Sequence, residues 1–173
     1  MTDKSIYTKV LLTLAFLSSA TIASEAKKYP FSIEDQRQVY ISRSTAAGTK
    51  MVKVIAYGRS ADAAIEKAMV DAVAALTFDG TKGLGEFEGC PAVLLNGRRD
   101  YEEHKDFFDN FFKKGDFLKF VEKVNSTYPM GADNVKTKNG RRIQIQLIVN
   151  WQELSDYYKL VGFKTIASEL NNF

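Results

Sequence analysis

Residues 141–149 alternate between polar and apolar side chains, and this pattern constrains the fold more than any other in the chain. Successive side chains of a β-strand point to opposite faces of the sheet. The apolar set is Ile143, Ile145, Leu147 and Val149, and the polar set is Arg142, Gln144 and Gln146. The strand therefore belongs to a sheet that buries one face, an arrangement typical of antiparallel sheets.

Further strands are predicted on both sides of the middle of the chain. Residues 38–43 and 51–58 also alternate, and residues 46–49 between them read as a turn, so the two form a hairpin. Asn139 followed by Gly140 favours a type I′ turn, which folds residues 134–138 back onto the strand at 141–149. Residues 117–125 are compatible with another strand. A brief extended segment is predicted at residues 92–95.

Three helices are predicted between and after these strands. Ser60 caps the first, with Asp62 in its first turn, and apolar residues recur at helical spacing as far as Leu76. Residues 98–114 form the second, ended by Gly115, and residues 151–161 the third, with a capping box of Asn150 and Glu153. This order predicts one α+β domain over residues 24–173, with a mostly antiparallel sheet of about four strands and helices packed on one face.

The first 23 residues have the pattern of a secretory signal peptide. Lys4 and Lys9 precede an uncharged apolar run at residues 10–23, which ends in small side chains. Cleavage is expected after Ala23 or Ala26. The run is shorter than the roughly 20 residues that cross a bilayer, so no stable membrane span is expected after cleavage. The alternative is a buried N-terminal helix. Export predicts a periplasmic protein if the host is a Gram-negative bacterium.

The charge balance points to no particular partner. The chain has 24 Lys and Arg against 21 Asp and Glu, a formal net charge of +3 at pH 7. Bases and acids alternate along most of the sequence, whereas nucleic-acid binding needs the bases gathered on one face. No nucleic-acid partner is expected.

The residues that could carry catalysis are few. Cys90 is the single cysteine, so no internal disulfide can form; an inert buried thiol is expected, and an intermolecular disulfide stays open. His104 is the single histidine, and it lies on the apolar arc of the second helix, which favours a packed side chain over a metal ligand or a base. The glycine-rich residues 80–97 read as a loop that lacks a phosphate-binding signature. No metal and no cofactor are expected, and enzymatic activity is the less favoured interpretation.

The second helix carries an unusually aromatic face. Phe107, Phe108, Phe111 and Phe112 share its apolar arc with Tyr101 and His104. Most of this arc is expected to pack in the core. Because the first helix already covers the sheet with aliphatic side chains, some aromatic surface is expected to remain, and these four phenylalanines are the candidate partner-binding residues.

Two passages, residues 53–76 and 139–163, resemble a family of bacterial proteins. The positions that match are Val54, Gly58, Ala64, Ala68, Asp71, Ala72 and Leu76 in the first passage, and Val149, Asn150, Leu154 and Gly162 in the second. They are similar to the small exported domains at the N-terminus of the flagellar outer-ring protein and in related envelope lipoproteins. The resemblance covers roughly half of the chain after the signal peptide and implies a fold more than an activity. No cysteine follows the apolar run, so a lipid anchor is not implied.

Two functions remain open on the sequence. The first is an exported, non-enzymatic envelope protein that binds another envelope protein or its own copies in an assembly. The alternative is an exported small-molecule-binding protein or hydrolase, with a site in residues 80–97 near His104 or Cys90. A convergent pocket with a strongly shifted titratable group would favour the second, and a flat apolar patch the first.

Overall fold

The computed structural model describes residues 27–43, 45, 48–124 and 128–170, so the predicted signal peptide lies outside the described residues. The strands are β1 (Gln38–Arg43), β2 (Lys50–Gly58), β3 (Lys82–Gly83), β4 (Val121–Lys123), β5 (Asn134–Thr137) and β6 (Gly140–Val149). The α-helices are α1 (Ala61–Ala74), α2 (Arg98–Glu103), α3 (Lys105–Lys113), α4 (Trp151–Leu160) and α5 (Ile166–Leu170).

The six strands form one sheet in the order β3-β1-β2-β6-β4, and β5 also pairs with β6. Every pairing is antiparallel except that of β1 with β3, which is parallel. The predicted α+β class is confirmed, with a mixed sheet and more strands than expected. Both predicted hairpins are present, β1 with β2 and β5 with β6.

Helix α1 covers one face of the sheet, over β2 and β6. Its predicted cap is present, since the Ser60 hydroxyl oxygen accepts a hydrogen bond from the Ala63 N–H at 3.2 Å. The predicted inward residues of the two central strands are buried beneath it: Val52, Val54, Ala56, Ile143, Ile145, Leu147 and Val149. Burial of these side chains drives the packing of the helix on the sheet.

Helix α1 continues into a π-helical turn, Ala75–Asp79, where the sequence predicted a loop from Thr77 onward. The turn is stabilised from the core: the Thr77 and Tyr158 hydroxyls lie 3.3 Å apart and form a buried hydrogen bond. Phe78 is buried as well, whereas Asp79 emerges at the surface. Such turns are rare and occur often at functional sites.

The predicted second helix is interrupted at His104. The backbone there has φ −130° and ψ 39°, outside the helical region, and the His104 N–H donates to the carbonyls of Asp100 and Tyr101. Gly115 ends α3 as predicted, with φ 91°, a value that favours glycine. The chain then makes a 3-10 turn, Asp116–Phe120, so of the strand predicted at 117–125 only β4 forms.

Two smaller predictions are wrong. The Asn150 side chain makes no capping hydrogen bond to the backbone of α4; its amide lies 3.5 Å from a Glu153 carboxylate oxygen instead. The expected extended piece at 92–95 is reduced to an isolated bridge between Leu94 and Thr165. Both patterns depend on side-chain rotamers or on a distant partner, which local sequence does not encode.

Candidate functional site

The phenylalanines predicted to bind a partner lie mainly in the core. Phe108, Phe111 and Phe112 are buried, and Phe107 is half-buried. The Phe112 ring stacks on Phe31 with centroids 4.2 Å apart, and Phe108 meets Phe78 edge-on at 5.0 Å. The expectation of exposed aromatic surface is therefore corrected for three of the four residues, because aromatic rings from distant segments cover them.

Tyr101 ties α2 to α3 across the interruption at His104. Its hydroxyl donates to the Asp109 carboxylate at 3.1 Å. Burial of the ring, together with this hydrogen bond, raises the pKa of Tyr101 to about 12. The neutral phenol is thus the form that the folded chain stabilises.

We expect Tyr101→Phe to lower the free energy of unfolding by about 1.5 to 3 kcal/mol at pH 7, the range for a hydrogen bond to a charged group. The folded-state pKa lies above that of an unfolded tyrosine, so the stabilisation is complete below about pH 10 and is lost as the pH rises toward 12. Urea unfolding of both proteins between pH 7 and pH 12 measures the difference. A difference that stays constant with pH would contradict the assignment.

His104 and Cys90, the residues of the predicted alternative site, are not brought together around a cavity. His104 is exposed rather than packed in the core, and its ring lies edge-on against Phe163 at 5.1 Å. Cys90 is buried, and burial raises the pKa of its thiol, so the nucleophilic thiolate is disfavoured. A cavity of about 640 Å³ beside the loop is lined by Arg37, Asp79, Thr81 and Arg98 among others, and by neither of those two residues.

A chain of ion pairs borders that cavity, hereafter the ion-pair chain. Its members are Asp35, Lys67, Asp71, Arg37, Asp79 and Arg98. The Arg37 side chain is only 3% exposed; its Nε lies 3.6 Å from Asp71 Oδ1, and its Nη1 lies 3.3 Å from Asp79 Oδ2. The ion-pair chain contains three cations and three carboxylates, so it has no net charge that would attract a charged ligand.

Asp71 is the most buried acid of the ion-pair chain. It pairs with Lys67 and Arg37, yet burial raises its pKa by more than the two cations lower it. Arg37 Nε has no hydrogen-bond acceptor among the described atoms. Burial thus disfavours the charged form of Asp71 even beside two cations, and breaking a buried pair of this kind is costly.

The described part of the chain holds neither a metal-binding cluster nor a membrane-spanning helix. Residues 27–43, 45, 48–124 and 128–170 contain no group of three or more His, Cys, Asp and Glu side chains that could hold a metal ion. In the same ranges, no helix is both long and apolar enough to cross a bilayer.

The face of the sheet opposite α1 carries half-buried apolar side chains beside a cavity. We call it the open face: Tyr40, Met51, Lys53, Ile55, Tyr57, Arg142, Gln144, Gln146 and Ile148. Its side chains are half-buried or exposed, in contrast to the inward face. Met51 lies opposite Ile148 across β2 and β6, so these apolar side chains adjoin.

The segment that precedes β5 adds a rim to the open face. Tyr128 and Met130 line a cavity of about 440 Å³ together with Lys53 and Gln144. The Gln144 amide donates to the Asp133 carboxylate at 2.7 Å, which fixes this rim to β6. Met130 is 73% exposed. A large, highly exposed apolar side chain beside a cavity with mixed polar and apolar lining is a feature of protein-binding surfaces.

The sequence contained a signal for the open face that the alternation argument passed over. In residues 51–58 both sets of alternating positions are largely apolar: one set contains Val52, Val54 and Ala56, and the other contains Met51, Ile55 and Tyr57. A strand apolar on both sides is expected where both faces of a sheet are covered. Here helix α1 covers only one face.

Comparison of the chain with protein-family models, with curated proteins and with solved structures gives no match.

Proposed function

We propose that this chain is an exported, non-enzymatic module of the bacterial cell envelope that binds another envelope protein or a second copy of itself through the open face. The observation that carries the proposal is the apolar surface of Met51, Ile55 and Ile148 with the exposed Met130 at its rim. The predicted signal peptide and the resemblance to exported envelope domains support the compartment. If the host is Gram-negative, that compartment is the periplasm.

The alternative of a small-molecule-binding protein or hydrolase has weaker support. The cavity beside residues 80–97 is large enough for a small ligand, but the charges of its lining balance, with Arg37, Lys82 and Arg98 against Glu34, Asp35 and Asp79. His104 lies away from that lining and Cys90 is held as a buried thiol.

A photo-crosslinking amino acid at Met130 tests the proposal in the native host. We expect discrete adducts with one envelope protein or with a second copy of the chain. Leu160 supplies a matched control, because it is 84% exposed, comparably apolar, and lies at the end of α4 rather than on the open face. The same crosslinker at Leu160 should give no discrete adduct.

The binding affinity for the captured protein then provides a quantitative readout. Met130→Glu should weaken it by about 1 to 3 kcal/mol, as expected for an apolar anchor, while Leu160→Glu leaves it unchanged. Adducts that are equally abundant at both positions, or absent at Met130, would overturn the proposed surface.

The N-terminus of the chain purified from its native host tests export. The purified chain should begin at Ser24 or Lys27, and an intact Met1 would overturn export.

A further inference from the structure

Five cationic side chains gather at the end of the sheet where β5 turns into β6. They are Arg59, Lys136, Lys138, Arg141 and Arg142, hereafter the basic end. None of them forms an ion pair with another described residue. Most other buried or half-buried cations of the described chain do have an acid partner, as in the ion-pair chain. The basic end therefore presents positive charge that its own fold leaves uncompensated.

Strand register brings these charges to the same end of the sheet, on both of its faces. Arg141 and Lys136 point to one face and Arg142 to the other, because successive side chains of a strand alternate. Arg141 lies opposite Lys136 on β5, and the next residue of β6, Arg142, lies opposite Tyr57 on β2. The turn packs tightly on the neighbouring backbone: Gly140 has φ +146°, and a Cβ there would lie 2.1 Å from the Gly58 carbonyl oxygen. This close approach places the hairpin beside the backbone that leads into Arg59.

A concavity of about 430 Å³ lies between these groups, and no acid lines it. Its lining residues are Tyr57, Gly58, Arg59, Thr137, Lys138, Asn139 and Arg141. The acids nearest in sequence have other partners: Asp62 accepts from the Tyr128 hydroxyl at 3.0 Å, and Asp133 accepts from Gln144. These two carboxylates keep their negative charge, but neither forms an ion pair with the five cations of the basic end, which outnumber them.

Exposed apolar side chains accompany the charges. Tyr57 is 54% exposed and Val135 is 42% exposed, and both lie directly opposite Arg142 in the register, one on each side. Lys and Arg can lay their aliphatic stems along apolar surface while the charged ends reach outward. A tyrosine ring between such cations is the composition found where proteins meet the headgroup layer of a membrane.

We propose that the basic end binds the surface of an anionic phospholipid membrane, with the cations on lipid phosphates and with Tyr57 and Val135 entering the headgroup layer. A headgroup layer offers phosphate and apolar material side by side, which matches the mixed composition of this surface. The inference rests on the export proposed above, which places the chain beside a membrane. The basic end shares Tyr57 and Arg142 with the open face, but Lys136 and Lys138, which the test replaces, lie outside the open face.

Vesicle binding tests this inference with the chain as purified from its native host. Vesicles of equal parts phosphatidylglycerol and phosphatidylcholine are compared with vesicles of phosphatidylcholine alone. Each cation near an anionic surface contributes about 1 kcal/mol, or about fivefold in partitioning. Lys136→Gln with Lys138→Gln should therefore weaken binding to the anionic vesicles about 25-fold. Both side chains are exposed and unpaired, so the fold should be unaffected, and thermal unfolding checks this.

The matched control is Lys105→Gln with Lys159→Gln, which removes two exposed cations, also without an ion-pair partner in the described chain, from α3 and α4. It should change vesicle binding less than twofold. Tyr57→Ser should weaken binding even at about 1 M salt, where the Debye length falls to about 3 Å and charge attraction is screened.

Three outcomes would overturn the proposal. Equal binding to neutral and anionic vesicles would assign any membrane affinity to another part of the chain. Loss of vesicle binding in the presence of millimolar inorganic phosphate would indicate a discrete phosphate site. Tight binding of poly-glutamate without binding of anionic vesicles would indicate an acidic protein partner. Crosslinking from Met130 is a separate experiment that does not involve vesicles. If the vesicle experiment fails, the proposed function is therefore unaffected.

Discussion

Phe112→Ala should lower the free energy of unfolding by about 3 to 5 kcal/mol, the range for deleting a fully buried aromatic side chain. Phe112 has no exposed surface. Its ring stacks on Phe31 and lies against Phe78 and Phe117 with centroids 6.0 and 5.9 Å away. Removing it leaves a cavity between rings from four separate segments, which cannot collapse without moving all of them. Urea unfolding followed by circular dichroism measures the change.

Phe107→Ala is the control on the same helix. Phe107 is only half-buried, so its removal should cost less than half as much as that of Phe112. Adducts from Met130 should persist in Phe107→Ala, since α3 packs away from the open face. A cost below about 0.5 kcal/mol for Phe112→Ala would place that ring at the surface, because exposed positions lie in this range. The interpretation of α3 as a partner-binding helix would then return.

The aromatic helix shows what a sequence pattern leaves undetermined. Helical spacing correctly identified the apolar side of residues 105–113. It could not identify what covers that side, because the covering rings come from Phe31, Phe78, Tyr158 and Phe163, which are distant in sequence. Depth of burial depends on these long-range contacts, whereas periodicity reports only local geometry.

The same distinction separates the strands that were predicted from those that were not. Strands β1, β2 and β6 have enough residues to display alternation, and β5 has a turn signal at Asn139 and Gly140. Strand β3 has two residues, too few for a period, and of the strand predicted at 117–125 only the three residues of β4 form. These short strands exist because a neighbouring strand offers free backbone groups. No local pattern marks β3 or the bounds of β4.

The candidate site was predicted only in part. The alternation of residues 141–149 correctly placed Gln144 and Gln146 on the outward face. It did not reveal that Met51, Ile55 and Ile148 make that face partly apolar, or that the rim at Met130 stands over it. The basic end was equally hidden, since Arg59 joins the hairpin cations only through the close packing of Gly140 on Gly58.

The two sides of the sheet therefore differ in chemistry. Beneath α1 the side chains are buried, and the charges at its margin are matched within the ion-pair chain. On the opposite side, apolar side chains remain half-exposed and the cations of the basic end have no acid partner. Stability is concentrated on the first side. Substitutions that affect binding without unfolding should be found on the second.

Asp71→Ala should destabilise the protein by about 3 kcal/mol, the lower end of the range for a buried ion pair that loses one partner. It removes the acid that lies closest to Arg37 Nε and also pairs with Lys67. The loss is limited because Lys67 keeps Asp35 at 2.9 Å and Arg37 keeps Asp79 at 3.3 Å. Asp79→Ala serves as the control, since that carboxylate is partly exposed and should cost about 1 kcal/mol or less.

The double variant Arg37→Met with Asp71→Leu distinguishes two cases. Either the ion pair stabilises the fold, or it adds no net stability and only the loss of one partner is costly. Burial raises the pKa of Asp71 despite its two cations, so charge attraction does not recover the cost of desolvation there. Apolar replacements of similar volume should restore stability to within about 1 kcal/mol of the original chain, apart from the loss of the hydrogen bond from Arg37 to the Ser32 carbonyl. Additive losses from the two single substitutions would instead show that each charge stabilises the fold independently, because coupled partners deviate from additivity by about 0.5 to 3 kcal/mol.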